Sequence, residues 1–128
     1  QIDLKRIHFL GKVSYSQFVS AMQISSAHIY LTYPFVLSWS MLEAMSLGAA
    51  IVGSRTPPVE EVINDHVNGR LVDFFDPQEI AQVAVEVANS TNTEMRAKAR
   101  QTIVDHYDLN SICLPRQIEL IENLGSRQ

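Results

Sequence analysis

Glu43 is the acidic residue best placed to do chemistry, because it falls inside a helical stretch that follows a strand-like segment and a loop. A carboxylate there can accept two hydrogen bonds from a vicinal diol such as a ribose, while the start of the same helix attracts phosphate. Its spacing also supports a second role. Ser40 and Glu43 form an S-x-x-E capping box, in which the glutamate satisfies a backbone N–H and touches no ligand. The helix-start amides around Ser38, Trp39 and Ser40, helped by the two hydroxyls, are candidates for contacting phosphate or sugar, with ordinary helix initiation as the alternative. Trp39 can stack on a base or sugar ring, or simply pack.

The other reactive side chains form no constellation. Lys12 and Arg55 fall in loops near the same end and read as solvated charges. His28 lies in a strand-like run and reads as a core histidine, and His8, His66 and His106 are scattered. No second ligand stands at metal spacing, so neither a metal nor a cofactor is expected. Cys113 is the sole cysteine and lacks a local base, which reads as a packed or idle thiol. A single cysteine forms no intrachain disulfide and fits a reducing, cytoplasmic setting.

The elements that must position these residues alternate in period. Residues 7 to 11 are short, apolar and end in Gly11, as expected of a buried parallel strand. Ser14 and Gln17 have capping-box spacing ahead of a helix over residues 14 to 25. Residues 27 to 32 read as a second strand, followed by a loop over 33 to 39 and an apolar helix over 40 to 47 that stops at Gly48. Residues 49 to 52 form the third strand candidate, and a loop through Pro57-Pro58 leads to a short helix at 59 to 63. Asn68-Gly69 marks a turn before the fourth strand at Leu71-Val72. Asp76-Pro77 opens the next helix, and further apolar stripes run through Met95, Ala99, Ile103 and Tyr107, then Leu114, Ile118, Ile121 and Leu124.

This alternation predicts an α/β fold, a parallel Rossmann-like sheet flanked by helices on both faces. Ligands of such sheets bind outside the carboxyl ends of the strands. The 128 residues are 46 % hydrophobic, enough for a single core, so residues 1–128 are expected to form one partial nucleotide-binding domain. A net charge of −4 argues against a general nucleic-acid binder. No apolar run is long enough to span a bilayer. The chain opens without Met and close to a strand, and is expected to be a piece of a longer protein.

Several motifs resemble, in order, those of the retaining glycosyltransferases of family four, also called group 1. Leu42-Glu43-Ala44-Met45, followed by Gly48-Ala49-Ala50-Ile51-Val52-Gly53-Ser54, resembles the L-E-A-M-A helix and its following strand. Pro57-Pro58-Val59-Glu60-Glu61-Val62-Ile63 resembles G-G-x-P-E-V-I, Asn68-Gly69-Arg70-Leu71-Val72 resembles N-G-L-L-V, and Phe9-Leu10-Gly11 resembles F-L-G. The similarity covers roughly residues 7 to 107, and its order is more specific than any one motif. It implies part of the carboxyl-terminal, donor-binding domain of a two-domain GT-B enzyme, with Glu43 on the donor ribose. It further implies transfer of a sugar from a nucleoside diphosphate sugar to a hydroxyl acceptor, a sugar or lipid-linked glycan, in glycan or exopolysaccharide synthesis. The enzyme would be a retaining hexosyltransferase as a full-length protein, the fragment alone being inactive.

The sequence departs from the family at two places. The glutamate eight residues before the one matching Glu43 is Phe35 here or, with two residues inserted, Tyr33. The diglycine is replaced by Pro57-Pro58, which removes backbone donors and fixes φ. These departures favour a second reading, a noncatalytic nucleotide-sugar-binding module or degenerate partner subunit. A response-regulator-like domain ranks lower, because the strand ends offer Asp73 and Asp76 but no acidic cluster near the first strand. The implied strand order leaves an open apolar edge on residues 27 to 32, so either a homo-oligomer through that edge or a rearranged placement of residues 7 to 11 is expected. The full-length enzyme would be cytoplasmic, held at a membrane periphery, if at all, by further sequence.

Overall fold

A computed structural model describes residues 3–33 and 36–125. Pro34 and Phe35, the latter one of the two positions for the family's first glutamate, lie outside the described residues, as do the extreme ends of the chain. Strands β1 (His28–Tyr30), β2 (Ile51–Ser54) and β3 (Arg70–Val72) form a parallel sheet in the order β1-β2-β3. Helices α1 (Tyr15–Ile24), α2 (Trp39–Ser46), α3 (Pro57–Glu60) and α4 (Pro77–Ala88) alternate with the strands. Then α5 (Thr93–Tyr107), a π-helical turn (Leu109–Cys113) and α6 (Leu114–Gly125) close the chain. No described helix is long and apolar enough to cross a membrane.

Local sequence signals set the helix ends. The Ser14–Gln17 capping box forms in full, with the Gln17 N–H donating to Ser14 Oγ and the Ser14 N–H donating to Gln17 Oε1 at 2.9 Å. Helix α2 stops at Gly48, whose φ of 73° suits a residue without Cβ. Its N–H donates to the Met45 carbonyl and that of Ala49 to the Ala44 carbonyl, so the last turn is closed from both positions. Asp76 caps α4 by accepting from the Gln78 and Glu79 N–H groups at 3.0 Å each.

Strand alternation divides the core into two layers. Ile51 and Leu71 point to one face, where Met41, Ala44 and Met45 of α2, Val59 of α3 and Ala99 of α5 are buried. Val52 and Val72 point to the other and meet Val83 and Val87 of α4. Burying a Met, Ile or Val side chain contributes about 1.5–3 kcal/mol, so this double packing is the main force that fixes the sheet. Arg96 ties α5 to the amino end of the sheet by donating to the carbonyls of Gly48, Ser25 and Ser26 at 2.9 to 3.0 Å.

Two expectations need correction. Residues 7 to 11 form no strand. They run as exposed chain after a 3-10 turn at Leu4–Arg6, with Phe9 93 % exposed and Gly11 at a φ of 61°. A strand needs a neighbour to exchange ladder bonds with, and among the described residues none pairs with this segment. The third helix begins at Pro57, earlier than the expected 59, because Pro at the first helical positions needs no N–H partner there.

Asn68, read from sequence as a turn marker, is a buried bracket. Its side-chain oxygen accepts from the Asn64 N–H at 2.7 Å, and its amide donates to the Val62 carbonyl at 2.9 Å and to Thr102 Oγ1 of α5 at 3.0 Å. The following Gly69 has no room for a side chain, since a Cβ there would come within 2.9 Å of Ile63 Cγ2. The loop before β3 is therefore held from inside the core.

Candidate functional site

Helix α2 begins at Trp39, and its cap is Ser38, with φ −80° and ψ 138°. Ser38 Oγ accepts from the Ser40 N–H at 3.3 Å and lies 2.9 Å from Ser40 Oγ. The Ser38 N–H donates in turn to the Tyr30 hydroxyl at 2.9 Å, which fastens the start of α2 to the end of β1. Ser40 is thus not the cap, and the Ser40–Glu43 capping box does not form. The N3 position that a capping box requires is Met41, two residues before Glu43.

Glu43 is half-buried, and no hydrogen bond or ion pair reaches its carboxylate from the described residues. Helical spacing places Trp39, Leu42 and Glu43 along one wall of an open cleft of about 440 Å³. Ile103 and Tyr107 from α5 and Cys113 and Gln117 from the π-helical turn and α6 form the opposite wall. Helix α5 starts at the amino end of the sheet, where Arg96 binds, so its last turn lies toward the carboxyl end where α2 begins. Ser38 and Ser40 stay on the first turn of α2 and do not line this cleft. Trp39 is 84 % exposed and free to meet a ligand.

Sequence reasoning missed the far wall. Tyr107 and Ile103 were legible as a helical stripe, but their placement opposite Glu43 was not. Cys113 is half-buried in the cleft, at the end of a turn in which its N–H donates to the Asp108 carbonyl five residues back at 2.9 Å.

A second cleft, of about 450 Å³, lies at the other end, where β3 and α5 begin. Its cations are already engaged: Arg70 pairs with Glu86 at 2.7 Å and Lys98 with Glu94 at 2.7 Å. Arg55, expected as a solvated loop charge, is also engaged. It donates to Asp65 at 3.1 Å and to the Leu71 carbonyl at 3.3 Å. Burial alone would raise the Asp65 carboxyl. The Leu71 N–H, the Arg55 guanidinium and neighbouring His66 outweigh burial and hold it below its ordinary value. Burial lowers His28, favouring its neutral form, as suits a half-buried residue at the start of β1. Lys12 is exposed on the loop after Gly11.

Comparison with known proteins bears on the whole arrangement. Residues 3–103 match the family model of the group 1 glycosyl transferases. An uncharacterised glycosyltransferase of Methanocaldococcus jannaschii is 33 % identical over 87 residues, which cover 67 % of this chain and 22 % of that protein. The chain therefore spans about a fifth of the length of the curated relative it matches.

Proposed function

The chain belongs to the group 1 glycosyltransferases, and from that membership we propose that it forms the donor-binding part of a retaining hexosyltransferase of GT-B architecture. The full-length enzyme moves a sugar from a nucleoside diphosphate sugar to a hydroxyl acceptor, a sugar or lipid-linked glycan, in glycan or exopolysaccharide synthesis at the cytoplasmic side. Glu43 accepts from the ribose diol, Trp39 flanks the nucleoside, and Ser38 and Ser40 contact phosphate or sugar at the start of α2. Fixed donors facing the leaving diphosphate supply positioning and charge stabilisation. The observation that carries this reading is the half-buried Glu43 carboxylate, unpaired among the described residues, in a cleft large enough for a nucleoside.

Calorimetric titration of the full-length protein with UDP and GDP tests it. One of the two is expected to bind, and Glu43→Gln to weaken that binding roughly tenfold, the loss of a charge-assisted hydrogen bond. Equal affinity in wild type and variant would remove Glu43 from the site.

A noncatalytic binding module is the second reading. Pro57 and Pro58 at the start of α3 favour it, because they leave that loop without backbone donors for a phosphate. Binding of a nucleotide sugar with neither hydrolysis nor transfer in the full-length protein would establish it.

Strand β1 pairs on one side only among the described residues, and Ile29 on it is exposed. We propose that this edge pairs with a second copy of the chain. Light scattering is expected to give a dimer or higher species, and a monodisperse monomer would refute the pairing.

A further inference from the structure

Tyr33, Phe74 and Phe75 pack ring against ring just beyond the carboxyl ends of β1 and β3. The Tyr33 centroid lies 5.6 Å from that of Phe74 and 5.2 Å from that of Phe75, and the two phenylalanines are 5.0 Å apart. The cluster is open to solvent, with Tyr33 58 % and Phe75 70 % exposed. Single exposed rings need no explanation, but a joined aromatic surface at the ligand-bearing end of a parallel sheet does.

The rings are held in place by the backbone beneath them. Thr32, next to Tyr33, is bound to Ser54 through both its N–H and its carbonyl. Asp73 accepts from the Phe75 N–H at 2.8 Å, and its own N–H donates to Glu79 of α4 at 2.7 Å. A platform set in this way loses little freedom when a ligand covers it.

A hexopyranose suits such a surface. Its ring carries one face of C–H bonds, which stacks on the electron-rich face of an aromatic ring while its hydroxyls stay in water. Glycosyl transfer requires a sugar near the sheet mouth, and the Tyr30 hydroxyl, at the end of β1 and three residues before Tyr33, holds the Ser38 cap of α2, the helix that bears Glu43. A nucleotide sugar bound at the start of α2 would carry its hexose at this same carboxyl end of the sheet, where the aromatic cluster lies. The geometry points to Tyr33, Phe74 and Phe75 as the stacking platform for the donor's hexose, a role that rests on the reading of Glu43 as the ribose contact.

The test separates the hexose from the nucleotide. The full-length protein and its Tyr33→Ala, Phe75→Ala and Phe75→Trp variants are titrated by calorimetry with UDP and UDP-glucose, and with GDP and GDP-mannose. Both alanine variants are expected to bind the sugar nucleotide about fivefold or more weakly while binding the free nucleoside diphosphate as wild type does. Phe75→Trp should bind the sugar nucleotide like wild type, because it keeps an aromatic face. Both side chains are exposed, and unchanged melting temperatures serve as the folding control. If the diphosphates bind but the alanine variants treat nucleotide and sugar nucleotide alike, the platform falls and the Glu43 reading stands. If neither diphosphate nor sugar nucleotide binds, both fall together.

Discussion

Ser54 Oγ accepts a hydrogen bond from the Thr32 N–H at 3.0 Å and donates one to the Thr32 carbonyl at 2.7 Å. One buried hydroxyl thus extends the pairing of β1 and β2 by a residue, at the point where β1 gives way to the loop that carries Tyr33 and the cap of α2. A side chain here does what the ladder no longer does, and it sets where the mouth of the sheet opens.

Replacing Ser54 by Ala removes both bonds and leaves the Thr32 groups to find water at a part-buried site. We expect Ser54→Ala to lower stability by about 1–2 kcal/mol. It should also weaken sugar-nucleotide binding, because Tyr33 loses its anchor. Urea unfolding and calorimetry on the same preparation check both, and unchanged binding would show that the loop does not depend on Ser54.

Asn68 makes three hydrogen bonds from a buried position and joins the loop before β3 to α5 through Thr102. Asn68→Ala should cost about 2–4 kcal/mol, since it strands the Asn64 N–H and the Val62 carbonyl as well as opening a void. Thr102→Val removes only one of the three bonds and should cost less. Equal losses for the two variants in chemical denaturation would contradict the bracket role.

Asp65 is held below the ordinary carboxylate value in the fold, so the folded state binds its proton less readily than the unfolded chain. Its contribution is therefore complete above the ordinary value, from about pH 4 upward, and is lost as pH falls through the lower folded value. The stability gap between wild type and Asp65→Asn is expected to be widest near neutrality and to close in acid. Unfolding midpoints collected from pH 7 to pH 2 measure it, and a gap independent of pH would mean that the Leu71 and Arg55 contacts do not select the charged form.

The sequence alone determined the elements whose signals are local. Capping at Ser14 and Asp76, the stop at Gly48 and the apolar stripes of α2, α4 and α5 were legible because each rests on neighbours within a few residues. From their alternation followed the parallel sheet with helices on both faces, and from the ordered motifs the family. Tertiary structure decided everything that needed a partner far along the chain. An apolar run at 7 to 11 has strand composition, yet pairing is a property of two segments and not of one. Ser40 and Glu43 have capping-box spacing, yet the Tyr30 hydroxyl fastens the cap to Ser38. The wall facing Glu43 and the contact of Tyr33 with Phe74 and Phe75 join residues from distant elements, and no local pattern encodes which of them the fold brings within reach.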